Sequence, residues 1–99
     1  MIEDMVNNLL ELVSQEYGVS ASDLKSKSRR QPLPEARRMI CLLSNSNILR
    51  REARRILDIE YCTFYQNVNK INFEIELYQD TASRYKNLLN RLSNEDKAN

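Results

Sequence analysis

A chain of 99 residues makes one domain with a modest core, and its 41% hydrophobic and 29% charged residues are those of a globular protein rather than a disordered one. One glycine, two prolines and no histidine argue against a multi-stranded β fold. They also exclude glycine-rich phosphate loops and Ser-His or Cys-His nucleophile pairs, so composition argues against an enzyme. Cys41 and Cys62 are too few for a zinc site and fit a reduced cytoplasmic protein, so no metal or cofactor is expected. No apolar run reaches the roughly 18 residues of a membrane span, and the N-terminus lacks a basic-then-apolar signal pattern.

The net charge of +1 conceals an asymmetry. Between Lys25 and Arg55 lie ten basic residues opposed only by Glu35 and Glu52, a local charge of +8 against −7 for the rest of the chain. Eight of the ten are arginines, whose planar fork suits phosphate and base edges. Positive charge gathered in one stretch of a nearly neutral chain points to a polyanion-binding face.

In chain order, the apolar residues from Ile2 to Tyr17 fall at helical spacing, and Gly18 suits the end of that helix. Ser20 to Asp23 resembles a capping box opening a short helix that carries Leu24. Residues 25–33 have no apolar period and read as a basic loop. Pro34 suits the first turn of the next helix, with Ala36, Met39, Ile40 and Leu43 inward. After a polar break at Ser44 to Asn47, residues 48–57 read as a helix with Leu49, Ala53, Ile56 and Leu57 inward and four arginines outward. Asp58 to Cys62 form a connection, where Tyr61 and Cys62 are open to two readings, buried turn residues or, for Tyr61, a neighbour of the DNA bases. Thr63 to Gln66 then fits a capping box that opens another helix, completing a helix-turn-helix. The whole reads as all-α, with five or six helices over residues 1–94 and a frayed tail at 95–99.

From Phe64 to Leu92 apolar residues alternate steps of four and three, which taken alone is a coiled-coil seam and a homodimer interface. The favoured reading is two successive core helices broken near Asp80, whose side chain caps the second of them. Met5, Met39, Cys41 and the tyrosines are assigned to core packing, and Glu74, Glu76 and Asp80 to a solvated face.

The order of these features is informative. A helix ending in Tyr17-Gly18-Val19 precedes S-x-x-DL-x-SK, a basic RR loop, a helix opening P-E-ARRM, and a helix-turn-helix whose second helix carries V-x-KI. The series resembles the C-terminal DNA-binding domain of the bacterial replication initiator DnaA over about residues 6–92, best from Val13 to Met39. The resemblance implies double-stranded DNA as partner, with the second helix in the major groove and the loop in the minor groove. It implies a minor-groove role for Arg29, matches Arg37 to the arginine opening the helix after the loop, and matches Lys70 and Ile71 to a K-I pair in the recognition helix. The family signature G-R-D-H-[ST]-T-V aligns with Asp58 to Phe64, where only Thr63 is unchanged and Glu60 keeps the acid. Ile59 replaces the arginine and Tyr61 the histidine, so the family's binding sequence does not carry over.

Each candidate has a physical role. Arg50, Arg51, Arg54 and Arg55 cover a broad face of the first helix of the pair, the one that crosses the sugar-phosphate backbone. Lys27, Arg29 and Arg30 form the basic loop, and arginines there suit a narrow minor groove. Glu60, Tyr61, Thr63, Gln66 and Asn67 occupy the end of the second helix that meets base edges, with capping the favoured task for Thr63. Arg37, Arg38 and Lys70 are further phosphate candidates, while Glu35 places an acid beside the loop. The reading is a DNA-binding domain related to replication or regulation, lacking nucleotide-binding machinery of its own. Its rival is a protein-interaction module that kept the fold and uses its C-terminal helices.

Overall fold

The computed structural model describes the backbone of residues 1–98 and the side chains of residues 1–94; the tail expected at 95–99 lies outside the described side chains. The chain is all-helical, with α1 at Ile2–Tyr17, α2 at Ala21–Lys25, α3 at Leu33–Leu43, α4 at Arg50–Leu57, α5 at Tyr61–Leu77 and α6 at Gln79–Ala98. No helix is long and apolar enough to cross a membrane among the described residues.

Local chemistry sets most of the boundaries. Gly18 ends α1 in the left-handed region at φ 67°, a conformation glycine adopts without steric cost. The Ser20 hydroxyl accepts from the Asp23 amide at 3.0 Å and caps α2. Pro34 sits in the first turn of α3, where its missing N–H costs nothing, and the preceding Gln31–Pro32 bond is cis. At the other end of α3 the fully buried Ser44 hydroxyl donates to the Ile40 carbonyl at 2.7 Å.

α3 is the central helix. It lies against α5 over its length and also touches α1, α2 and α4, while α6 rests on α1 and α5. Val6, Leu10 and Val13 of α1, Met39 and Ile40 of α3, and Phe64 and Ile71 of α5 are almost completely buried in one cluster. Each such side chain contributes about 1.5–3 kcal/mol through removal from water. Cys41 belongs to this core, and burial pushes its thiol pKa up to about 11.

The long apolar seam is divided near Asp80, as expected: extended backbone at Tyr78 ends α5, and Asp80 falls inside the first turn of α6 rather than at its cap. Phe64, Val68, Ile71 and Ile75 face the chain's own core, so the seam is used intramolecularly and supports no homodimer. In α6, Tyr85 and Leu92 of the expected stripe pack against the core, but Thr81 and Leu88 are buried beside them and Leu89 is exposed.

Other packing assignments are corrected as well. Met5 is exposed at the start of α1, and Tyr61 and Tyr78 are exposed, whereas Tyr17 is buried. Glu74 is not on a solvated face but is paired with Arg38. Glu35 does not border the loop: its carboxylate accepts from the Tyr17 hydroxyl at 2.6 Å and the Thr81 hydroxyl at 3.0 Å, joining α1, α3 and α6. Burial, then the Glu35 carboxylate, raises the Tyr17 pKa well above its ordinary value, so the phenol stays protonated.

Candidate nucleic-acid interface

α4 and α5 are joined by Asp58, Ile59 and Glu60, the length of a helix-turn-helix connection. α5 therefore begins two residues before the expected Thr63. Asp58 makes the sharp turn with φ 54°, a left-handed conformation that Asp tolerates better than most residues, at the position where the resembled signature has glycine. Glu60 occupies the N-cap and makes no side-chain capping bond. Thr63 is thus not the cap, and Tyr61 and Cys62 are exposed helical residues rather than buried turn residues. The capping-box pattern misleads because Thr63 and Gln66 already lie within the first two turns of α5.

The α5 surface presents Glu60, Cys62, Thr63, Gln66 and Lys70 to solvent, with Asn67 half-buried. The Asn67 amide donates to the Cys41 sulfur at 3.6 Å, so that side chain is partly held toward the core. Beside it, the basic loop approaches the start of α5. An open cleft of about 450 Å³ is lined by Lys27 and Arg29 of the loop, Arg37 and Arg38 of α3, and Thr63 and Asn67 of α5.

The ten basic residues of the central stretch separate into two groups. Arg37 is turned onto the backbone of the loop: its guanidinium donates to the carbonyls of Asp23 at 2.9 Å, Leu24 at 2.9 Å, Ser26 at 2.7 Å and Ser28 at 2.5 Å. Burial lowers its pKa, with Asp23 opposing that effect. Arg38 is held in an ion pair with Glu74, Nε 2.8 Å from Oε1 and Nη2 donating to Oε2 at 3.2 Å, with both side chains about 15% exposed. These two arginines order the loop and tie α3 to α5. Lys27 reaches the α4–α5 turn, where Nζ lies 3.2 Å from the Asp58 carboxylate and donates to the Asp58 carbonyl at 3.1 Å. Arg55 is matched to Glu52 through three short contacts, and these hydrogen bonds hold the Glu52 carboxyl below the usual range, with the Arg55 charge adding to them.

The other group is open, and Lys70 of α5 resembles it. Lys25, Arg29, Arg30 and Arg51, like Lys70, are exposed, and their side chains have no protein partner among the described residues. Arg50 and Arg54 are half-buried and lie over the Tyr65 and Tyr61 rings, with no acid paired to either among the described residues. The four arginines of α4 thus do not form one uniform face. Arg50 and Arg54 flank α5, whereas Arg51 and Arg55 border a shallow groove shared with Ile2 and Ile48. Sequence reasoning misses Tyr65; the recoverable signal is the same four-residue spacing in Arg50/Arg54 and Tyr61/Tyr65.

Fold and surface together define an all-helical domain with a helix-turn-helix and a concentration of unneutralised arginine around it. The chain is 32% identical over 90 residues to the chromosomal replication initiator protein DnaA of Campylobacter curvus (strain 525.92), covering 88% of this chain and 21% of that protein. It is therefore similar to a segment about one fifth the length of that relative. No family model and no solved structure matches the chain.

Proposed function

We propose that this chain is a double-stranded DNA-binding domain of the DnaA type, with no catalytic activity of its own, acting in replication initiation or its regulation in the cytoplasm. The observation that carries the reading is the shared cleft between Arg29 of the basic loop and Thr63 and Asn67 of α5. A loop arginine beside the first turns of a recognition helix is the arrangement needed to enter a minor groove while the helix occupies the adjoining major groove. Arg30, Arg51, Arg50 and Arg54 add phosphate contacts on either side, and Lys70 extends them along α5. The similarity to DnaA supports the same assignment.

Base readout falls to fewer groups. Gln66 projects from the exposed face of α5 and can pair with adenine, and the Thr63 methyl can meet a thymine methyl. Glu60 can accept from cytosine N4 at the helix start. Arg37 and Arg38 serve instead to hold the loop and α5 in register for the duplex.

Fluorescence anisotropy with two labelled duplexes, one carrying the DnaA recognition sequence and one scrambled, tests the reading at low and moderate salt. Binding that weakens steeply with salt is expected, together with a modest preference between the duplexes. Absence of binding to both at low salt refutes it and favours a protein-interaction role. The observation behind that second reading is the exposed apolar group Phe73, Leu77 and Tyr78 where α5 meets α6.

A further inference from the structure

Two arginines of α4 and two tyrosines of α5 form a pair of cation–π contacts beside the turn. The Arg54 guanidinium carbon lies 5.3 Å from the centre of the Tyr61 ring, and that of Arg50 lies 5.1 Å from the centre of the Tyr65 ring. The two rings meet edge to face with centroids 4.7 Å apart. Each pair is spaced by one helical turn, so Arg50 meets Tyr65 and Arg54 meets Tyr61 in antiparallel register. Arg50 is held by Asn45 as well, Nε and Nη2 both donating to its side-chain oxygen at 3.1 and 3.0 Å. The Arg54 Nε is shielded from water and has no acceptor among the described residues.

The contrast lies in how each arginine is held. Arg55 is matched by the carboxylate of Glu52, which cancels its charge locally. An aromatic face attracts a guanidinium through its quadrupole and adds no negative charge. An arginine so held keeps its full charge, and the terminal N–H groups not engaged within the protein remain for a phosphate. It has also lost part of its rotamer freedom before binding, which lowers the entropic cost of association.

We infer that Tyr61 and Tyr65 are positioning residues that hold Arg54 and Arg50 ready for the DNA backbone while leaving their charge intact. The inference rests on the DNA-binding reading above and assigns Tyr61 to backbone contact through Arg54, not to base recognition. It requires the ring and not the hydroxyl.

The test compares Tyr61→Phe/Tyr65→Phe with Tyr61→Leu/Tyr65→Leu in the full chain, by salt titration of anisotropy on a labelled duplex, with circular dichroism melts as a check on folding. The phenylalanine pair is expected to keep wild-type affinity and salt slope. The leucine pair is expected to bind about tenfold more weakly with a shallower slope, the effect of restoring freedom to two arginine side chains. In an Arg50→Ala/Arg54→Ala background the leucine changes are expected to have no further effect, since partners that act together are not additive. Tyr61→Leu alone, at a half-exposed site, supplies the same comparison if the pair disturbs folding.

Wild-type affinity in the leucine variants overturns the inference. So does a loss that persists undiminished without the arginines, or a phenylalanine pair as weak as the leucine pair. If the wild-type chain itself shows no salt-sensitive binding, the DNA reading falls and this inference with it. Binding by wild type with indifferent leucine variants removes the inference alone.

Discussion

Arg37 and Arg38 on α3 differ from Arg29, Arg30 and Arg51 in everything but residue type. The α3 pair is turned inward, one onto loop carbonyls and the other onto Glu74. The loop and α4 residues stand in solvent without a protein partner among the described residues. The same charge thus does two jobs: the inward arginines fix the shape of the surface, and the outward ones supply its attraction for a polyanion. The +8 stretch overstates the charge available to a ligand, because several of its members are already engaged within the protein.

The largest expected effect comes from the inward pair. Arg38→Ala leaves the Glu74 carboxylate without its partner between α3 and α5 and should cost about 3 kcal/mol in urea unfolding. Arg38→Met combined with Glu74→Leu should recover most of that loss, because it removes both charges together. If Arg38→Ala proves as stable as wild type, the pair is not structural and Arg38 becomes a ligand contact instead. Arg37→Ala removes the donor that gathers the loop carbonyls and should cost about 2 kcal/mol. Trypsin should then cut after Lys25 and Lys27 several times faster than in the parent chain, a rate measurable by mass spectrometry.

The outward residues should behave in the opposite way. Arg29→Ala/Arg30→Ala is expected to change stability by no more than about 0.5 kcal/mol, while the log-log salt slope of DNA binding becomes shallower by about 2. A stability loss without a binding loss would reverse the division of labour. The smallest effect should separate neighbours on α4. Arg51→Ala should remove about one phosphate contact from the slope, and Arg55→Ala clearly less, since Glu52 already offsets the Arg55 charge. Equal effects would mean that Glu52 moves aside when DNA binds.

The legible parts of this molecule are those whose cause is local. Gly18, the Ser20 cap and Pro34 mark their helix ends in the sequence, and the structure places those ends there. The start of α5 is harder to read because its turn depends on Asp58 in a left-handed conformation that sequence more often signals with glycine. Thr63 and Gln66, spaced like a capping box, draw the boundary two residues too far along the chain. The choice between Leu88 and Leu89 in α6 is also hidden, because the two are chemically equivalent neighbours and only packing against the core distinguishes them.

For the candidate site, sequence locates the positive charge but not its disposition. Nothing near Arg38 announces Glu74, which lies 36 residues on, and the partners of Arg37 are backbone carbonyls that no side-chain pattern reveals. By contrast, the exposed Arg29 and Arg30 are readable, because a loop with no apolar period has nothing to bury. Tyr61 stands at a base-reading position in the sequence, yet its ring face is covered by Arg54, a contact between two helices that emerges only once the turn is known.

The most direct test is the salt slope of duplex binding for three proteins: wild type, Arg29→Ala/Arg30→Ala/Arg51→Ala, and Arg38→Met/Glu74→Leu. At roughly 0.9 per phosphate neutralised, the triple variant should lose most of three contacts' worth of slope, while the α3–α5 pair replacement should keep the wild-type value. A triple variant with the wild-type slope, or a wild-type chain that binds no duplex at low salt, would contradict the assignment of the outward arginines to DNA.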